Sequence, residues 1–405
     1  MKLQKTTILI VFFITLSICF ISSYLYIQNA ELFGDEKVHY PQIKKFINKD
    51  FTLHPKITTI PGYHAILALF AYIFNVSSIA STRLLSLIFS IASIPIFFLL
   101  SLKICKESSM IKTLQYCFFP ILFPFFFLLY TDVPSLLMIL ISFYFLLNQK
   151  YKLAGIMGIL SLFIRQNNIV WLAFMCVFIH FEKYNFEFSV KIFQKSIRDY
   201  WIFIIGFILF IIFLIINKGV AIGEKLMHPS FLFRTGNIFF MMFLFFFLFL
   251  PLNISNFQKI IQHIKKNKKF IIIIAIVFSI YMLTFVNDHP YNYYLPRYFI
   301  RNRILLYFNS TFVLKTLFFI PIAYSMFSIS VTKLHRKSFY ILYPTTLIFL
   351  LPSWLIEQRY YLIPFTLFIL FKKEESKLVE CLTITFYVLA SAGIYLGMRN
   401  NFFFL

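Results

Sequence analysis

Gly62-Tyr-His-Ala-Ile-Leu-Ala-Leu-Phe-Ala-Tyr-Ile-Phe74 is apolar almost throughout, follows Pro61 and carries one imidazole, His64, in its first turn. As a helix these 13 residues would be about 20 Å long, well short of the roughly 30 Å of hydrocarbon that a spanning helix must cross. The stretch therefore reads as an interfacial or re-entrant helix. That reading sets the side of the membrane on which every later loop falls, and so decides the topology.

The rest of the chain shows that a membrane is the right solvent to consider. Of 405 residues, 60% are hydrophobic and 13% are charged, where a soluble domain carries roughly a quarter charged residues. The fold class is an all-α polytopic membrane protein, with one integral membrane domain over 1–405. The apolar run 7–27, behind Lys2 and Lys5, is too long for a signal-peptide core and is read as an uncleaved first span. Further spans are expected near 84–102, 114–130, 132–148, 153–164, 169–181, 200–217, 236–253, 270–287, 304–329, 338–356, 360–371 and 380–397, giving about 12–14 transmembrane helices in all. The 58 phenylalanines are lipid contact or core, and no site is built from them. The net charge of +23 would suggest nucleic acid in a soluble protein. Here it sits in short loops, where Lys and Arg set orientation and meet anionic lipid headgroups, so nucleic-acid binding is not expected. The five cysteines are scattered without a CxxC, which argues neither for a disulfide framework nor for a zinc site.

With 62–74 off the list of spans, the loops sort by charge. The segments 103–113, 149–153, 182–199, 254–269, 333–337 and 372–377 are basic and belong in the cytoplasm by the positive-inside rule. The opposite set comprises 32–64, 130–132, 165–168, 219–234, 288–303 and 357–359, and most of it mixes acids or amides with Arg, Lys and His. Ionisable groups near membrane depth are costly and usually retained for transport or chemistry. A transferase using a lipid-linked substrate needs a base for an acceptor hydroxyl and cations for a phosphate leaving group. The outer face offers both.

The first outer loop, within 28–74, is the longest. Asp35 and His39 are four apart and share a helical face, although acids in a first turn are also favoured by the helix dipole alone. No Gly-rich phosphate loop, HExxH or GxSxG occurs, and no loop is long enough for a nucleotide-binding domain. A donor carried on a polyprenyl phosphate fits this layout.

At these residues the chain resembles the alpha-1,2-glucosyltransferases that use dolichyl phosphate glucose to add the last glucose of the lipid-linked N-glycan precursor. The resemblance rests on Asp35-Glu36-x-x-His39-x-Pro41-Gln42, Lys56-Ile-Thr-Thr-Ile-Pro-Gly62, Arg83-Leu-Leu, Tyr130-Thr-Asp132 and Arg165-Gln-x-Asn-Ile-Val-Trp171. It continues through Gly223-Glu-Lys-x-x-His228, His289-Pro290 with Arg297, and Pro352-x-x-Leu-Ile-Glu-Gln-Arg359-Tyr360. Where the family runs into an Asp-Asn-Arg-His group, Leu295-Pro296 stand before Arg297, and the arginine alone keeps register.

The resemblance implies the C-type membrane glycosyltransferase fold, with short interfacial helices on the first outer loop, and an inverting transfer of glucose to a lipid-linked oligosaccharide. Its implied location is the endoplasmic reticulum membrane with a lumenal site, or a cytoplasmic membrane with a periplasmic site in a bacterial host. Asp35 is the expected base and Glu36 the next choice. His39, Arg165, Glu224, His228, His289, Arg297, Glu357 and Arg359 are the expected substrate contacts, with the arginines suited to phosphate. No metal or cofactor is expected. The expected partners are the dolichyl phosphate glucose donor, the lipid-linked oligosaccharide acceptor and membrane lipids. Two other readings stay open: another polyprenyl-phosphate-sugar transferase, mannosyl or bacterial, and a lipid-linked-sugar transporter. A transporter would show charges within spans and an inverted repeat, and neither is visible.

Overall fold

The computed structural model describes residues 2–184, 186–187, 189–230, 232–295 and 298–405. Every regular element among them is an α- or 3-10 helix, and two β-bridges, Phe299 with Phe404 and Leu334 with Lys372, are isolated. The connections gather at two poles. At one, Lys259 pairs with Glu375 at 2.7 Å, Arg336 with Glu182 at 2.8 Å, and Lys112 with Glu374 at 3.3 Å. All six residues lie in the segments expected to be cytoplasmic. At the other, Asp35 pairs with Arg359 at 2.8 Å, and Gln166 donates to the carbonyls of Thr58 and Val220 at 2.7 and 2.8 Å. The partition read from loop charge is thus met by contacts within each set.

The stretch 62–74 is the short helix Gly62–Ile73. It buries Tyr63, His64, Leu67, Ala68 and Ala71 against the helix Glu36–Ile47, while Leu69, Tyr72 and Ile73 stay exposed at 56–60%. One face meets protein and the other is exposed, the two-sided arrangement that an interfacial helix needs. Gly62 is required at its start. Its N–H donates to the Phe163 carbonyl at 3.0 Å, and a Cβ there would lie 2.4 Å from that oxygen.

Among the described residues five helices are long and apolar enough to cross a membrane, or six if the pair Gly236–Leu248 and Leu250–Lys266, bent by 95°, is one span. The other expected spans are shorter. Asp132–Leu147, Tyr151–Leu162 and Lys269–Thr284 are short apolar helices. The expected span 114–130 is the end of helix Ser109–Cys117 followed by a buried stretch with a 3-10 turn at Phe123–Phe126. Irregular backbone at that depth is tolerated because it is enclosed by protein rather than lipid. The expected span 304–329 is two elements. Thr311 caps the helix Phe312–Val331 by accepting from Leu314 N at 3.2 Å, and the preceding helix Ile300–Asn309 carries Arg301, Asn302 and Arg303.

The last residues fold back beneath the outer pole. Phe404 donates its N–H to the Tyr298 carbonyl at 2.7 Å, and its ring stacks within 5.7–6.2 Å of Tyr298, Phe33 and Tyr130. Cysteines placed at Ser189 and Lys266 are expected to react only with a cytoplasmic maleimide, and one at the exposed Lys56 only from the opposite side. Labelling of either former site from outside would break the two-pole assignment.

Candidate active site

The site begins with a buried ion pair. Arg83, on the helix Ile79–Ile91, donates from Nε to Glu36 Oε1 at 3.0 Å and from Nη2 to Oε2 at 2.5 Å, and both side chains are fully buried. The carboxylate also accepts from the backbone of Phe33 at 2.9 Å and Leu129 at 2.8 Å. The rest of the guanidinium binds carbonyls of Ile27, Ala30 and Glu31 at 2.8–3.0 Å. A fork this fully used pins the chain entering the first outer helix. Glu36 faces Arg83 rather than open space, so the expectation that it could serve as base is corrected: its carboxylate has no oxygen free for a substrate.

Pinning Glu36 turns its neighbour the other way. Asp35 N donates to Tyr130 Oη at 2.8 Å, and that hydroxyl donates to the Phe33 carbonyl at 3.1 Å. Gly34 makes the turn possible, with φ +49° and a Cβ position 2.4 Å from Tyr130 Oη. The Asp35 side chain, 48% exposed, lines a cavity of about 430 Å³ with His39, Lys56, Arg165, Glu224, His228, Arg301, Glu357 and Arg359. Most of the expected site residues therefore meet in one place. Arg297 lies outside the described residues. His289 does not line the cavity: its Nε2–H donates to the Met227 carbonyl at 3.0 Å and its Nδ1 accepts from Tyr291 N at 3.1 Å. With both ring nitrogens bound to backbone it braces two outer loops, which corrects its expected role as a sugar contact.

Arg359 is the hub. It reaches Asp35 at 2.8 Å, Glu357 at 3.2 Å and Asp132 at 3.5 Å, and lies over the Tyr130 ring at 4.9 Å. Asp132 is also paired with Arg165, and Glu357 with Arg301 at 2.8 Å. Burial raises the Asp35 carboxyl, but Arg359 and His39 outweigh it, and its pKa is lowered to about 2. Burial likewise pulls the His39 imidazole down, to about 4, against the opposing pull of Asp35. Glu224 accepts from the Tyr291 hydroxyl at 2.8 Å on the far wall.

Sequence reasoning did not single out Arg301, Asp132 or His64 as site residues. Arg301 falls in the outer segment 288–303, Asp132 in 130–132, and His64 in the first turn of the short apolar stretch 62–74. The available signal was an ionisable group at the edge of an apolar run in each case.

A second chamber of about 240 Å³ shares Thr58, Thr59, Arg165, His228, Leu355 and Tyr360 with the first. Beyond Arg165 its walls turn apolar, with Ile169, Val170, Phe210 and Phe349. Phe210 belongs to the helix Val190–Asn217, whose Ile208, Ile211 and Ile212 are exposed at 46–54%. The chamber thus joins a cationic end to a lipid-facing helix.

The model of the DIE2/ALG10 family matches residues 29–195 and 178–370, a stretch that contains every described wall residue named above. The chain belongs to the DIE2/ALG10 family. Curated relatives carry the name Dol-P-Glc:Glc(2)Man(9)GlcNAc(2)-PP-Dol alpha-1,2-glucosyltransferase. One from Candida albicans is 30% identical over 304 residues, covering 68% of this chain and 65% of that protein. One from Rattus norvegicus is 25% identical, covering 68% and 72%. One from Homo sapiens is 23% identical over 393 residues, covering 84% and 83%. The alignments thus span from just under two thirds to four fifths of the relatives' length. No solved structure matches the chain.

In this family member the two acids of the pair Asp35-Glu36 should respond differently to substitution. Glu36→Ala leaves a buried, unpaired guanidinium, a loss of about 3–5 kcal/mol, and is expected to lower the thermal unfolding temperature in detergent sharply. Asp35→Asn should unfold close to the parent. A Glu36→Ala protein as stable as the parent would contradict the structural role given to this pair.

Proposed function

We propose that this chain is a membrane glucosyltransferase that moves glucose from dolichyl phosphate glucose to a lipid-linked oligosaccharide. It does so with inversion, forming an alpha-1,2 linkage at the lumenal side of the endoplasmic reticulum membrane during N-glycan precursor assembly. The observation that carries the reading is the Asp35–Arg359 pair. Of the carboxylates tied to Arg359, Asp35 is 48% exposed, while Asp132 and Glu357 are 2% and 1% exposed. Asp35 is therefore the carboxylate that a hydroxyl in the cavity can reach. The names of the relatives supply the sugar, the donor and the acceptor.

The amphipathic chamber suits the donor. Its apolar end can hold the first isoprene units, and Arg165 stands where the lipid phosphate would arrive. The larger cavity, with Glu224, His228 and Lys56 on its walls, suits the acceptor sugar. The two spaces meet at Arg165, beside Arg359, so phosphate and attacking hydroxyl are brought to one junction. A guanidinium binds phosphate oxygens in bidentate fashion. An arriving phosphate draws Arg359 away from Asp35, and the freed carboxylate becomes a stronger base at the moment a hydroxyl needs one. The acceptor oxygen then attacks the anomeric carbon, and the phosphate leaves with its charge held by arginines.

Membranes bearing the chain, supplied with Glc2Man9GlcNAc2-PP-dolichol and radiolabelled dolichyl phosphate glucose or mannose, should transfer glucose alone. Asp35→Asn should reduce that transfer by about 100-fold or more with unchanged protein level. Full activity in the variant would refute the base assignment, and transfer of mannose instead of glucose would move the chain to another sugar. Phe210→Trp, which fills the apolar end of the second chamber, is expected to raise KM for the donor and leave KM for the acceptor unchanged. The reverse pattern would exchange the two chambers.

A further inference from the structure

Behind His39, on the neighbouring interfacial helix, stands His64. His39 Nδ1 and His64 Nε2 are 2.8 Å apart, and both rings are buried. Two neutral imidazoles at this distance share one proton, because two N–H groups or two lone pairs would repel. The other nitrogen of His64, Nδ1, is buried and makes no hydrogen bond among the described residues, with the Pro61 carbonyl near it. A carbonyl only accepts, so the proton on His64 belongs on Nδ1. His64 Nε2 then accepts from His39 Nδ1–H, and the lone pair of His39 is left on Nε2. No protein partner holds that nitrogen among the described residues, and His39 lines the cavity one helical turn from Asp35. The groups that face His39 are Asp35 on its own helix, Arg359, Asp132, Arg165 and the edge of the Tyr130 ring at 5.8 Å.

We propose that His39 and His64 form a proton relay serving Asp35, in which His39 Nε2 takes the proton that Asp35 removes from the acceptor hydroxyl. His64 is the positioning residue that fixes the His39 tautomer. The proposal rests on the transferase reading above. As the acceptor oxygen bonds to the anomeric carbon, the bond from that carbon to the phosphate oxygen breaks, and its electron pair stays on the phosphate. The hydroxyl proton passes to the Asp35 carboxylate, then across one bridging water to His39 Nε2, and leaves to water in the cavity. The imidazolium that forms is buried near Arg359 and Arg165, which drives its proton out and resets the pair.

The test compares His39→Gln, His64→Gln and the double variant with the parent and with Asp35→Asn, measuring kcat and both KM values across acid to neutral pH. His39→Gln is expected to lower kcat by about 100-fold, with both KM values little changed. His64→Gln should lower kcat with the same split, and the double variant should be no slower than His39→Gln alone, because the two rings act as a unit. The sign of the pH effect follows from the need for neutral His39. The parent's kcat falls as pH drops toward the His39 pKa, and His39→Gln lacks that limb. Parental kcat in His64→Gln, or losses that multiply in the double variant, would overturn the relay while leaving the base assignment intact. Parental kcat in Asp35→Asn would instead remove the base assignment and the relay with it. His64→Asn, a smaller amide, gives the same comparison should His64→Gln fail to fold.

Discussion

The Glu36–Arg83 pair couples the first outer helix to the helix Ile79–Ile91 at a place from which water is excluded. Its charges are matched by backbone groups on every side, the condition under which a buried pair is tolerable at all. Because consecutive residues of a helical turn point in different directions, holding Glu36 toward Arg83 aims Asp35 toward the cavity. The hydroxyl of Tyr130 and the left-handed turn at Gly34 complete the constraint. Asp35 is thus placed by its neighbours, and its own ion pair with Arg359 remains available for exchange.

The cavity chemistry follows from a balance of charges. Asp35, Asp132 and Glu357 face Arg165, Arg301 and Arg359 in one connected set of ion pairs. A network that is already neutral gains an uncompensated negative charge when a phosphate binds, so the ligand must compete for the arginines. The most replaceable carboxylate in that competition is the exposed one. In the proposed transfer, substrate binding and base activation are thereby the same electrostatic event, described from two ends.

Much of this was legible in the residues. Loop charge and the short length of 62–74 were enough to divide the polar groups between two poles, because those signals depend on the membrane rather than on packing. The choice between Asp35 and Glu36 was not legible, since it turns on a guanidinium 47 positions away in the chain. The helix break before Phe312 hid Arg301, because Ser310-Thr311 interrupts an apolar run without Gly or Pro to announce it. His289 looked like a ligand, but a histidine can equally cap a helix, and only the fold shows that its nitrogens are taken by backbone. The enclosed turn at Phe123–Phe126 reads as lipid-facing helix because Phe serves equally well in lipid and in core.

Phe404 brings distant parts of the chain together. Its ring is wedged among Phe33, Tyr130 and Tyr298, directly beneath the turn that aims Asp35. Contacts between residues so far apart in sequence form late, because closing a long loop is entropically slow. During synthesis the early spans are inserted while the segment around Phe404 is still unmade, so the catalytic turn must wait with one wall missing. A chain in which Phe404 has not yet docked therefore lacks one wall of the turn that aims Asp35.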